Sequence, residues 1–176
     1  MSRLELLSEQ DMSRTLDRLA SQILESVPRS SDLLLVGIPT RGVALAAVLA
    51  HRLEGLCGHP VQRGTLDPTF HRDDLDRVGT RLSQPTDLPG TIDGRLVVLV
   101  DDVIFTGRTV RAALEALQAW GRPKRVTLAV MVDRGHRELP IQPDYCGRSV
   151  PTSRQEAIEV CLKAIDGEEG VFLVRP

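Results

Sequence analysis

From position 97 the chain reads Val97, Val98, Leu99 and Val100, then Asp101 and Asp102, then Val103, Ile104 and Phe105, and finally Thr106, Gly107, Arg108 and Thr109. An apolar strand thus ends in two carboxylates and gives way to a Thr-Gly-Arg-Thr turn that opens a helix. The hydroxyls, the glycine and the free backbone N–H groups of such a helix start form a nest for a phosphate. Asp101 and Asp102 stand beside it, where sugar hydroxyls or a hydrated cation would bind. A strand-end Asp alone can be an N-cap, and Thr-Gly alone can be a turn. Neither explains the apolar run, the paired acids and the Thr-Gly-Arg-Thr turn in register.

Two further loops carry polar chemistry. Gly37-Ile-Pro-Thr-Arg-Gly42 approaches a Walker loop, but Val43 and Ala44 stand where Lys and Ser or Thr must follow, which excludes a P-loop nucleotidase. Another kind of phosphate loop, or a turn with an exposed arginine, remains. His71-Arg-Asp-Asp-Leu75 begins a stretch from Leu66 to Gly94 with three prolines, six aspartates and little periodicity, too long for an ordinary connection in a compact domain. It reads as a mobile functional loop. Asp73 and Asp74 read equally well as a solvated charge run.

The elements that must position these residues follow a repeating pattern. Ser8 and Asp11, with Met12, Leu16, Leu19, Ile23 and Val27, predict a capped amphipathic helix stopped at Pro28. Leu33 to Ile38 is an apolar run of strand length, followed by the Gly37–Gly42 loop and an Ala/Leu-rich helix to about Gly55. The unit repeats as strand Leu96 to Val100, the Asp101 loop and helix Thr109 to Trp120. A third strand, Val126 to Val132, enters Asp133-Arg-Gly-His-Arg137. Both-face-buried strands alternating with helices predict an α/β fold with a doubly wound parallel sheet, whose ligands bind at the carboxyl ends of the strands. Beyond Tyr145, apolar pieces around Val150, Ile158 to Leu162 and Val171 to Val174 predict strands and a hairpin.

At 176 residues the chain is expected to be a single domain, residues 1–176. It has no apolar signal core and no stretch near the ~20 apolar residues of a membrane span, so a cytoplasmic location is expected and a membrane partner is not. Cys57, Cys146 and Cys161 are odd in number and without C-x-x-C spacing, which predicts buried free thiols. The net charge is -2, but Gly121 to Arg154 holds seven Arg or Lys against three acids, a local +4. Leu66 to Gly94 and Gln155 to Pro176 are each -3. Arg122, Lys124 and Arg125 read as a solvated turn.

The Val97–Thr109 run resembles the 5-phosphoribosyl-1-diphosphate (PRPP) signature of the type I phosphoribosyltransferases. Together with Gly37 to Gly42, Arg72 to Asp74, Val132 to Pro140 and Val150 to Glu156, it closely resembles the PyrR family of pyrimidine operon attenuators that are also uracil phosphoribosyltransferases. The resemblance implies the type I sheet with a small hood and a flexible loop. It implies PRPP at Val97 to Thr109, with ribose hydroxyls on Asp101 and Asp102 and the 5-phosphate on Thr106 to Thr109. It places diphosphate on Thr40 and Arg41, and a closing loop at Arg72, Asp73 and Asp74, in which Arg72 meets the diphosphate. The base borders Asp133, Arg134 and Gly135. Mg²⁺ is the implied cofactor, near Asp101 and Asp102 through water or PRPP.

The implied partners are PRPP, uracil, UMP or UTP, a pyrimidine-operon leader RNA and further copies of the chain, as a dimer or tetramer. RNA falls to His136, Arg137, Arg148 and Arg154. A uracil salvage enzyme without RNA binding is the alternative. Purine enzymes of this class typically carry an acid where Phe105 stands, which argues against a purine substrate. His71 departs from the aromatic hydroxyl common among relatives and receives no role.

Overall fold

Two strands that open on unbroken apolar runs, β2 (Leu33–Gly37) and β4 (Leu96–Ile104), lie side by side in parallel within a five-stranded sheet. β3 (Gln62–Thr65) flanks β2, while β5 (Arg125–Asp133) and β6 (Tyr145–Ser149) extend the sheet beyond β4, giving the order β3-β2-β4-β5-β6, all parallel. The computed structural model describes residues 2–73 and 84–176.

Alternate residues of the central strands feed two separate cores. Leu33, Leu35, Val98 and Val100 face α1 (Glu9–Ser26) and α2 (Arg41–Cys57). Leu34, Val36, Val97 and Leu99 face α3 (Arg108–Leu117), together with Leu66, Leu88 and Ile92. Strands covered on both sides have no polar face, which explains their unbroken apolar runs. The link from β5 to β6 contains no helix. It crosses the α3 side, where Glu138 and Leu139 donate their N–H groups to the Thr106 carbonyl and Ile141 packs into the core.

The hood is a three-stranded antiparallel sheet in the order β1-β8-β7, built from β1 (Ser2–Leu7), β7 (Ala157–Cys161) and β8 (Gly170–Arg175), with the short helix α4 (Lys163–Asp166) between the last two. Its Leu7, Val160, Leu162 and Val171 join the core of α1 and α2.

The parallel doubly wound sheet and the β7–β8 hairpin are as expected, and α1 begins on the predicted capping box at Ser8 and Asp11. Several expected boundaries move. β4 runs on to Ile104, so Asp101 and Asp102 are strand residues and not loop residues, because their neighbours keep pairing with β5. α2 starts at Arg41, and only glycine fits at Gly42, where a Cβ would come within 2.3 Å of the Val100 carbonyl oxygen. β6 ends one residue before Val150. Of the three free thiols only Cys161 is buried, and Cys57 and Cys146 are half-buried. Among the described residues no helix is long and apolar enough to cross a membrane.

Candidate active site

The carboxyl edge of the sheet gathers the predicted residues. β4 delivers Asp101 and Asp102 to opposite faces, as strand alternation requires. Asp101 is 9% exposed and lines a cavity of about 300 Å³ on the α3 side, while Asp102 lies on the α2 side, close enough to Arg41 to act on its charge. Each carboxylate also accepts from the next backbone N–H, Asp101 from Asp102 at 2.9 Å and Asp102 from Val103 at 2.8 Å. These short loops fix the side chains before any ligand arrives.

Below Asp101 the cavity is walled by the turn into α3. Gly107 precedes the helix with φ 91°, a left-handed conformation for which glycine is suited. That turn aims the first N–H groups of α3 outward, and Thr106 Oγ1 accepts one of them, from Arg108, at 3.3 Å. The remaining donors and the positive helix end form an anion cradle. Arg72 reaches it from the loop and donates to Thr109 Oγ1 at 2.6 Å. Arg108 donates to Glu138 at 2.9 Å and to Asp73 at 2.8 Å, and the Glu138 bond, followed by Asp73, raises its pKa above the ordinary value. Asp73 is therefore paired to the cradle, and Asp74 lies outside the described residues.

The Gly37–Gly42 segment lies on the α2 side of Asp102. Its Pro39–Thr40 peptide is cis, and Thr40 borders a second, more open cavity beside β3. Arg41 opens α2 and pairs with Asp166 of the hood at 2.7 Å. Burial alone would lower the Arg41 pKa, but the Asp166 bond and the charges of Asp166 and Asp102 raise it above the ordinary value.

The loop after β5 is organised differently from the expectation. Arg134 is 8% exposed and sits 4.0 Å from the Phe105 ring centroid. It donates to Thr152 Oγ1 at 3.2 Å and to the carbonyls of Ser153 and Glu156 at 3.0 and 2.5 Å. Burial lowers its pKa, partly offset by Glu156. Arg134 therefore backs Phe105 and clamps the 152–156 segment, while the exposed Gly135 donates its N–H at 2.9 Å to Oδ1 of Asp133, whose side chain is largely covered.

Arg137 and His136, expected on an RNA face, also turn inward. Arg137 is 13% exposed and donates to the carbonyls of Phe105 and Ile141, both at 2.8 Å, and to Asp133. His136 bonds the Thr152 carbonyl and meets Phe105 edge-on, with ring centroids 5.6 Å apart. Backbone acceptors claim both side chains, the Phe105 and Thr152 carbonyls from distant segments and the Ile141 carbonyl from the same loop. Arg148 and Arg154 stay outward, Arg154 with its side chain 67% exposed.

Sequence reasoning missed Arg14 and Arg18, one turn apart on α1. Arg14 is 69% exposed, and Arg18 donates to the Cys146 and Gly147 carbonyls of β6, on the strand that carries Arg148. Their spacing of four was the available signal. Glu138, which spans Arg108 and approaches Arg154 at 3.6 Å, was also missed.

A parallel sheet with an anion cradle at its carboxyl edge and a small antiparallel hood is the architecture of a phosphoribosyltransferase, and residues 2–164 match the phosphoribosyl transferase domain family. The hypoxanthine-guanine phosphoribosyltransferase of Bacillus anthracis superposes with a TM-score of 0.75 at 18% identity, over 97% of this chain and 98% of that one, which speaks for the fold alone. The chain is 50% identical over 174 residues to the bifunctional protein PyrR of Picosynechococcus sp., covering 99% of this chain and 98% of the relative. It is also 50% identical over 177 residues to the bifunctional protein PyrR of Corynebacterium glutamicum, covering 98% and 92%. The chain belongs to the PyrR family.

Proposed function

We propose that this protein transfers ribose 5-phosphate from PRPP to uracil, giving UMP and diphosphate, and that it regulates pyrimidine operon expression by binding leader mRNA in response to uridine nucleotides. The observation that carries the enzymatic half is the cavity of about 300 Å³ in which the buried Asp101 meets the Thr106–Thr109 helix start. One end takes the 5-phosphate on backbone N–H groups and Thr hydroxyls. The other presents the Asp101 carboxylate to the ribose hydroxyls, with Asp102 as the second acceptor on the α2 side of the strand.

Displacement at the sugar C1 passes through an oxocarbenium-like state, so the protein's work is positioning and neutralisation of charge. Thr40 and Arg41 receive the diphosphate on the α2 side, and Arg72 joins from the loop. Asp101 and Asp102 present hard carboxylate oxygens on the two faces of β4, which suits a Mg²⁺ ion that keeps its waters and substrate phosphates and would be held by them through water or PRPP. When bound, the ion neutralises charge on the leaving diphosphate. Phe105, backed by Arg134, brings no proton-handling group to the base, which suits a pyrimidine.

For the regulatory half, Arg148 and Arg154 together with Arg14 and Arg18 offer the outward positive charge for RNA phosphates, while His136 and Arg137 hold the loop beneath. The chain acts as one domain, in the cytoplasm, and assembles as a dimer or tetramer. The deciding assay is UMP formation from uracil and PRPP with Mg²⁺, with hypoxanthine and guanine as competitors. Conversion of the purines without uracil would refute the substrate assignment.

A further inference from the structure

Arg41, at the diphosphate loop, has a fixed partner that no sequence motif indicated. Its Nη2 donates to Oδ1 of Asp166, 125 residues away in the chain, at 2.7 Å. The two other nitrogens of the guanidinium make no hydrogen bond to the described residues, and Nε is buried.

Asp166 is itself held tightly. Its Oδ2 accepts the Leu162 N–H at 2.9 Å, and its own N–H donates to the Leu162 carbonyl at 2.7 Å. Leu162 is 5% exposed and belongs to the core beneath the hood. The carboxylate is thus anchored through its own backbone to packed structure, and only 19% of its side chain is exposed. The Leu162 N–H, ahead of Arg41, also keeps the Asp166 pKa below the ordinary range, so the acceptor is ionised at neutral pH.

A long arginine side chain at a helix start has several rotamers, and fixing one of them for an anion costs entropy on every binding event. A rigid, ionised acceptor on the far side of the guanidinium removes that cost in advance. We propose that Asp166 is a positioning residue for the diphosphate end of the site: it holds Arg41 by one edge and leaves the other for the leaving group. The proposal rests on the reading of Thr40 and Arg41 as the diphosphate loop. It also makes the hood and the diphosphate loop one mechanical unit, since a shift of the Leu162–Asp166 turn moves Arg41.

The test is Asp166→Asn, which keeps an oxygen for the Leu162 N–H and deletes the charge, with Asp166→Ser as a second variant of the same logic should the first fold poorly. Binding of inorganic diphosphate with magnesium is measured by calorimetry, alongside KM values for PRPP and uracil. The diphosphate Kd and the PRPP KM are expected to rise about tenfold, with the uracil KM within about twofold. In an Arg41→Ala background the same Asp166 change should add less than about twofold, because its route of action is gone. Unchanged or tighter diphosphate binding in both Asp166 variants would overturn the positioning role, and so would full additivity with Arg41→Ala. A parent chain that bound no diphosphate would overturn the reading of the loop as well.

Discussion

Asp101 and Asp102 are neighbours in sequence that serve different faces. Changing both to Asn should leave the fold intact, since they follow the apolar run of β4 and lie within neither apolar core, while removing charge from two hydrogen-bond acceptors. At about 1.5 to 3 kcal/mol per charge-assisted bond, kcat/KM for PRPP should fall by at least about tenfold. Steady-state kinetics with a matching thermal melt decide it, and an unchanged kcat/KM would remove these acids from the site. Arg137 offers the opposite case. Its donors are spent on Phe105, Ile141 and Asp133, so Arg137→Ala should lower the melting temperature and impair uracil turnover. A variant that lost only RNA affinity would show that the side chain faces outward in solution.

The strand-turn-helix unit around Gly107 was legible because every part of it is contiguous: apolar run, acids, hydroxyls and glycine lie within thirteen residues. Gly107→Ala should cost about 1 to 2 kcal/mol for the left-handed backbone and weaken PRPP binding by disturbing the N–H array, measurable as a lower melting temperature together with a raised PRPP KM. Stability without loss would mean that the turn tolerates a side chain. Other elements were not legible, for physical reasons. β1 is mostly exposed, Leu4 included, and although Arg3 and Glu5 alternate with Leu4 and Leu6 the run is short, so pairing with β8 is what makes it a strand. β3 is similarly polar at the sheet edge. The inward turn of Arg134 and Arg137 depends on carbonyls of other segments, and the Arg41–Asp166 pair joins the first crossover to the hood. No local pattern encodes such meetings.

Across the whole molecule, charge sets two expectations. Asp11, Glu156, Asp166 and Glu168 all titrate below their ordinary values, held chiefly by Ser8, the Ser153 N–H, the Leu162 N–H and Arg3 respectively. Each contributes stability that is complete above its unfolded pKa near ~4 and is lost as pH falls through the lower folded value. The melting temperature should therefore drop steeply below about pH 4, and a flat profile down to about pH 2 would contradict these pairings. The second expectation concerns RNA. Arg148→Ala with Arg154→Ala should weaken leader-RNA binding and flatten its salt dependence by about two units of log-log slope, with UMP synthesis unchanged. Full RNA affinity in that variant would place the contact surface elsewhere.

The alternation of Asp101 and Asp102 across β4 carries one more implication. Because the side-chain period of a strand is two, sliding β4 by a single residue against β2 and β5 would exchange the two carboxylates between the α3 and α2 sides and carry apolar neighbours into the cradle. No intermediate offset exists. The alignment of one buried strand with its neighbours is thus an all-or-nothing setting for the site, and sequence changes along the buried Val97 to Val100 that loosen that alignment would silence the chemistry from within the core.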